Sequence, residues 1–292
     1  MMSGIITLNK TIYDLDNDSH EALIQKEGLK DEGEHPDFVR VEIVPKDGDV
    51  FNHDLKNWEL CVDQDFKPDW FNKEFALVEM QKAVQELWAE RFLIDDKSGK
   101  VIKEGRWFLK NSHAVLWGSS HAVLWGSSHA ELQGSSHAVL RESSNAVLLE
   151  SSHAELRGSS HAVLWGSSHA VLWGSSHAVL WGSSHAELRE SSHAVLRESS
   201  NAVLLESSHA ELWGSSHAVL RGSSRAVLLE SSHAELRESS QGIIPYSKDV
   251  VIKSIHDQAS VKDLSGKPII YVADSKLKTK VWKAPKVKKV KE

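Results

Sequence analysis

From Asn111 to Glu238 the chain is one eight-residue unit, S-S-H-A-V-L-W-G and close variants, repeated sixteen times without a break. No unit that short can bury a core by itself, so a period of this fidelity specifies a repeat protein whose units stack on one another. Such a sequence constrains a shape and a surface more tightly than an activity.

Comparing the copies separates constrained positions from permissive ones. The second position is always serine, the fourth always alanine and the sixth always leucine. The third is histidine except at Asn145, Asn201 and Arg225, and the fifth is valine except at Glu131, Glu155, Glu187, Glu211 and Glu235. The seventh varies most, among tryptophan, arginine, leucine and Gln133, and the eighth alternates between glycine and glutamate. Fixed and drifting positions each recur with period two, the alternation that a β-strand imposes on its two faces. Burying a row in which valine becomes glutamate or tryptophan becomes arginine would cost several kcal/mol per unpaired charge. Serine, alanine and leucine are therefore expected inside, and the third, fifth and seventh positions outside. Positions eight and one form the corner, where glycine can take a positive φ.

A helix does not fit. Eight residues advance it about 80° beyond two turns, which smears the constant leucine around the cylinder, and paired serines favour turns. Disorder does not fit either, since every unit carries alanine and leucine. The small-x-Leu spacing resembles that of pentapeptide-repeat proteins, and the whole tract is similar to octapeptide-repeat solenoids of gut bacteria and their phages. That resemblance implies a β-solenoid, commonly without catalytic function, and carries no site residues with it. The unit length differs from the pentapeptide pattern, so a four-sided coil does not follow.

Two strands per coil gives two units per turn and eight coils, roughly 38 Å at about 4.8 Å per rung. Three strands gives three units per turn and a triangular lumen that Ser, Ala and one Leu fill poorly, so two are favoured. Units four to six reappear as units eleven to thirteen, an offset of seven units. Seven units make a whole number of turns in neither geometry, so a copied block lands on another wall. A face-specific chemical site would not survive it.

The fold class expected is mainly β: a single-stack β-solenoid over 111–240, a small α+β N-terminal cap over 1–110, and a short β cap with a Lys-rich tail over 241–292. In the first region Phe38 to Val44 and Trp58 to Val62 read as strands, and Trp70 to Ile94 as an amphipathic helix with Asp69 as N-cap. Lys97 to Lys100 reads as a turn, and Gly105 to Lys110 as a strand feeding the first coil. After Glu238 the register is expected to break at Gln241-Gly242, with strands at Gly242 to Tyr246, Val250 to Ile255 and Pro268 to Ala273 closing the far end.

No catalytic, cofactor-binding or metal motif is legible: there is no Gly-rich phosphate loop, no Cys pair and no His-x-x-x-His helix. Asp63, Asp65 and Asp69 lack the later glycine and glutamate of a calcium loop and read as an acidic turn. The thirteen repeat histidines invite a metal reading, but no constant outer residue would fix their tautomer. A net charge of −7 gives no general attraction to nucleic acid or membrane, leaving only the lysines of 276–292 as a possible phosphate contact. The start is not signal-like and no apolar run approaches the length of a membrane-spanning helix, so the expected location is the cytoplasm. The single Cys61 excludes an intramolecular disulfide framework.

The expected role is a non-enzymatic scaffold for binding or display through variable Trp, Arg and His ladders. A self-assembling structural element is the alternative, and an enzyme with a site in residues 1–110 the third. With two strands per coil, odd units put Trp117, Leu149, Trp165, Trp181, Trp213 and Leu229 in one mostly apolar ladder, and even units give a mostly cationic one. The odd wall is the expected contact surface for a second copy or for a protein or glycan partner. Interrupting Trp and Arg disfavour an ice-binding lattice.

Overall fold

A computed structural model describes residues 2–30, 37–245, 250–256, 258–264 and 270–271. The chain divides into two units, Met1–Phe92 with Gly105–Trp107, and Leu93–Glu104 with Phe108–Glu292.

The first unit is built from β1 (Met2–Thr7), β2 (Thr11–Tyr13), α1 (His20–Glu27), β3 (Phe38–Pro45), β4 (Trp58–Val62) and α2 (Lys73–Arg91). Its antiparallel sheet runs β2-β1-β3-β4. β3 and β4 match the alternation of their sequences, while β1, β2 and α1 lie in a stretch whose pattern announces no element. α2 starts later than expected. Phe71 N–H closes a turn on the Pro68 carbonyl, so the N-cap falls to Asn72, whose side chain accepts from Phe75 N–H at 2.9 Å, rather than to Asp69. The buried stripe of α2 is Ala76, Met80, Ala83, Val84 and Leu87. It reaches the sheet at Gly4, where a Cβ would lie 2.5 Å from the Met80 sulfur. Only glycine lets the helix approach that strand so closely.

The second unit is the solenoid. It begins before the repeats, with β5 (Phe92–Ile94), β6 (Lys100–Ile102) and β7 (Arg106–Lys110). Each repeat then supplies one strand, from β8 (His113–Leu116) to β23 (His233–Leu236), followed by β24 (Gln241–Ile244), β25 (Val251–Ile255), β26 (Ser260–Asp263) and β27 (Ile270–Tyr271). Among the described residues, odd units fall in an 11-stranded sheet and even units in a 12-stranded one, both parallel, with each repeat strand paired in register to the next repeat but one. The coil therefore has two strands. The register does not break at Gln241-Gly242: Gln241 pairs with Arg225 and Gly242 with Ala226, and Ile244 is buried in the column of leucines. Glycine and isoleucine keep the small-x-large inner pattern, so the coil accepts a seventeenth unit. The lysines of 276–292 and most of the last expected strand lie outside the described residues.

The interior is the three fixed positions. Every leucine at position six is fully buried, the alanines nearly so, and every serine at position two is fully buried. A buried hydroxyl needs a partner, and the corner supplies it. Ser168 Oγ donates to the Trp165 carbonyl at 2.8 Å, and the same bond across three residues recurs at Ser128, Ser136, Ser160, Ser176 and Ser184. In these units the serine ties the corner from inside, whereas the buried hydroxyls of Ser216, Ser224 and Ser232 lack that bond.

Outside the corner, position eight has positive φ whether it is Gly174 (70°) or Glu190 (55°). For glutamate that backbone costs on the order of 1 kcal/mol. Each of the seven corner glutamates offsets it by accepting, at 2.5–3.0 Å, the backbone N–H of position eight on the preceding coil, as Glu150 does from Gly134 and Glu198 from Gly182. The Gly/Glu alternation is thus a choice between an unstrained corner and a strained one that fastens two coils together.

Candidate functional site

On the odd corner the indoles of Trp165 and Trp181 are parallel within 5°, their centroids 5.0 Å apart. The Arg197 guanidinium continues the column, 4.7 Å from the Trp181 ring and 5.8 Å from that of Trp213. Four successive coils therefore carry one stack of aromatic and cationic planes. Stacking holds the guanidinium over the rings by their quadrupole, and it follows directly from pairing in register at one rung spacing. Trp165 and Trp117 are exposed by 43% and 48%, while Trp181, Trp213 and Leu149 are half-buried. Leu229 does not belong to this surface. It is 3% exposed.

The even corner is not the cationic wall that its arginines suggest. Arg157, Arg189 and Arg237 each pair with a glutamate two residues earlier on the same outer face, Glu155, Glu187 and Glu235. Arg141 and Arg189 also lie over the rings of Trp125 and Trp173, at 5.2 and 4.4 Å. Glutamate at position five and arginine at position seven share one face of the strand, so the charges cancel locally. Comparing each position only with its counterparts in other units hides this pairing.

The same odd units present a groove of about 440 Å³ on the outer face of their sheet, lined by His177, Val179, His193, Val195, His209 and Glu211 among others. Val179, Val195, Val227 and Ile243 on the outer face make its apolar part, with Glu211 between Val195 and Val227. The ladder at position seven follows from the sequence; the groove is an addition of the structure.

Position three forms imidazole columns. His121, His137, His153, His169 and His185 stack face to face at 4.8–5.0 Å on the even sheet. His161, His177, His193 and His209 do so at 5.1 Å on the odd one. Rings stacked in this way direct their nitrogens along parallel lines rather than towards one point, so a column does not converge on an ion.

Burial, and secondly the neighbouring imidazoles, hold His129, His137, His169 and His177 below the ordinary histidine value; His217 is lowered by burial and then by Lys253. A lowered folded value means the native state resists protonation. Stability is then fully present above the unfolded value of about 6.5 and is lost as pH falls through the folded values. The melting temperature is expected to drop between about pH 8 and 5.5, above the carboxylate range. The drop should shrink in His137→Asn/His169→Asn, and an equal drop in that variant would remove the columns as its cause.

Among the described residues no helix is long and apolar enough to cross a membrane. No family model, curated protein or solved structure matches the chain.

Proposed function

We propose that the protein is a non-enzymatic binding scaffold whose odd wall receives a second copy or a protein or glycan partner. The observation that carries this is the stack Trp165-Trp181-Arg197-Trp213, half-exposed across four coils, three of which also line the apolar groove. Aromatic and arginine side chains already fixed in place lose little entropy on binding and are the residue types in which contact energy concentrates. The invariant positions are spent on the core and the corner, and the variable ones on the surface, as suits display rather than catalysis. The similarity to octapeptide-repeat proteins of gut bacteria and phages, and a cytoplasmic location, belong to the same reading and rest on the sequence alone.

The test is the size of the full chain in solution, by sedimentation, for two double variants. Trp165→Arg/Trp181→Arg is expected to abolish self-association or partner binding, while Trp125→Arg/Trp173→Arg leaves it intact. Equal effects of the two pairs would reject the odd wall as the interface. A second copy predicts a dimer in the purified protein; a foreign partner predicts a monomer that still captures it.

A further inference from the structure

The first unit holds a cluster that the repeat does not explain. His20 opens α1 behind the N-cap Ser19 and is buried, with 6% exposure. Its Nε2 lies 3.0 Å from the Val41 carbonyl oxygen, and its Nδ1 lies 3.3 Å from Asp63 Oδ2. Glu42, the residue after Val41 on β3 and opposite Cys61 of β4, completes a set whose ligating atoms all lie within 4.8 Å of one another. These residues come from an α-helix, a strand and the segment after the next strand, so nothing in their spacing announces them. Of the acidic turn Asp63, Asp65 and Asp69, only Asp63 takes part.

The hydrogen-bond roles call for a positive charge. A carbonyl can only accept, so Nε2 must carry the proton, and in a neutral ring Nδ1 then turns its lone pair towards the Asp63 carboxylate. Two electron-rich atoms face each other there unless a cation lies between them. A second ring proton would serve Asp63 but leave the Glu42 carboxylate uncompensated by that contact, whereas a metal ion serves all three. Anchoring the remote ring nitrogen on a backbone carbonyl is also how proteins fix the tautomer of a metal-bound histidine. We propose that His20, Glu42 and Asp63 bind a divalent first-row transition ion. One imidazole nitrogen and two carboxylates suit Mn²⁺, Fe²⁺ or Zn²⁺. The Asp63 side chain, 62% exposed, leaves an open side for entry and for water ligands.

Mn²⁺ is the probe, because imidazole columns without carboxylates bind it poorly. Titrating the full chain and following the free-ion electron paramagnetic resonance signal should show one tightly bound Mn²⁺ per chain, displaced by Zn²⁺. Asp63→Asn is expected to weaken that site by about ten-fold or more, at least as much as loss of an outer-shell partner does. Glu42→Gln should act likewise, and His137→Gln/His153→Gln, which breaks an imidazole column, should change nothing. Asp63 is exposed, so its variant keeps the native circular dichroism and decides the matter if Glu42→Gln fails to fold. No Mn²⁺ uptake, or uptake that Asp63→Asn leaves unchanged, would show the cluster to be an imidazolium–carboxylate contact and overturn the proposal.

Discussion

Leu172→Ala is expected to destabilise the solenoid by about 2 to 5 kcal/mol, in the range of buried leucine truncations. Leu172 is fully buried and lies between Leu156 and Leu188 in the inner column of the even sheet. Its strand is hydrogen-bonded on both sides, so the walls cannot close over the missing methyls and the upper half of that range applies. Trp173→Arg at the adjacent position should cost about 1 kcal/mol, chiefly the contact with Arg189 at 4.4 Å. Denaturant midpoints of the two variants measure the contrast. Similar losses would mean that the faces are not divided as the burial pattern divides them.

Ser168→Val should rival that loss. Ser168 has no exposed surface, and its hydroxyl is bonded to the Trp165 carbonyl. Valine removes the donor, leaving a corner carbonyl short of a partner at about 1 to 3 kcal/mol. It also adds a methyl to a filled interior, at about 1 to 3 kcal/mol more. Ser168→Ala removes only the donor and should cost less than valine does. If valine were tolerated like serine, the invariance of the column would reflect the turn preference of the free chain rather than the inward hydroxyl.

Much of the coil is legible in the sequence because its constraints are local and repeated. The period of two within each unit divides Ala170 and Leu172 from His169 and Val171, and one large inner residue per strand favours a flat, two-sheet interior. What escapes depends on the neighbouring coil or on distant segments. Glu150 at position eight looks like surface drift until its carboxylate is seen on the N–H of Gly134, one coil earlier. The charge of the even corner is misjudged when Glu155 and Arg157 are compared with other units rather than with each other. Gln241-Gly242 departs from the repeat in identity but not in size pattern, so the coil runs past the expected break. At the candidate contact surface, counting units puts the position-seven residues of the odd units in one ladder, but it announces neither the burial of Leu229 nor the groove. His20, Glu42 and Asp63 meet only through the pairing of β3 with β4 and the docking of α1, which no pattern in one sequence encodes.

The parallel pair of Trp165 and Trp181 has an optical consequence. Indoles held face to face at 5.0 Å couple their excited states, so the pair absorbs and emits as a couple and not as two independent dyes. The two belong to adjacent coils and are brought together only by the in-register pairing of His161–Leu164 with His177–Leu180. The chain thus carries an intrinsic fluorescent gauge of whether one coil still sits squarely on the next, at the place where a partner would press.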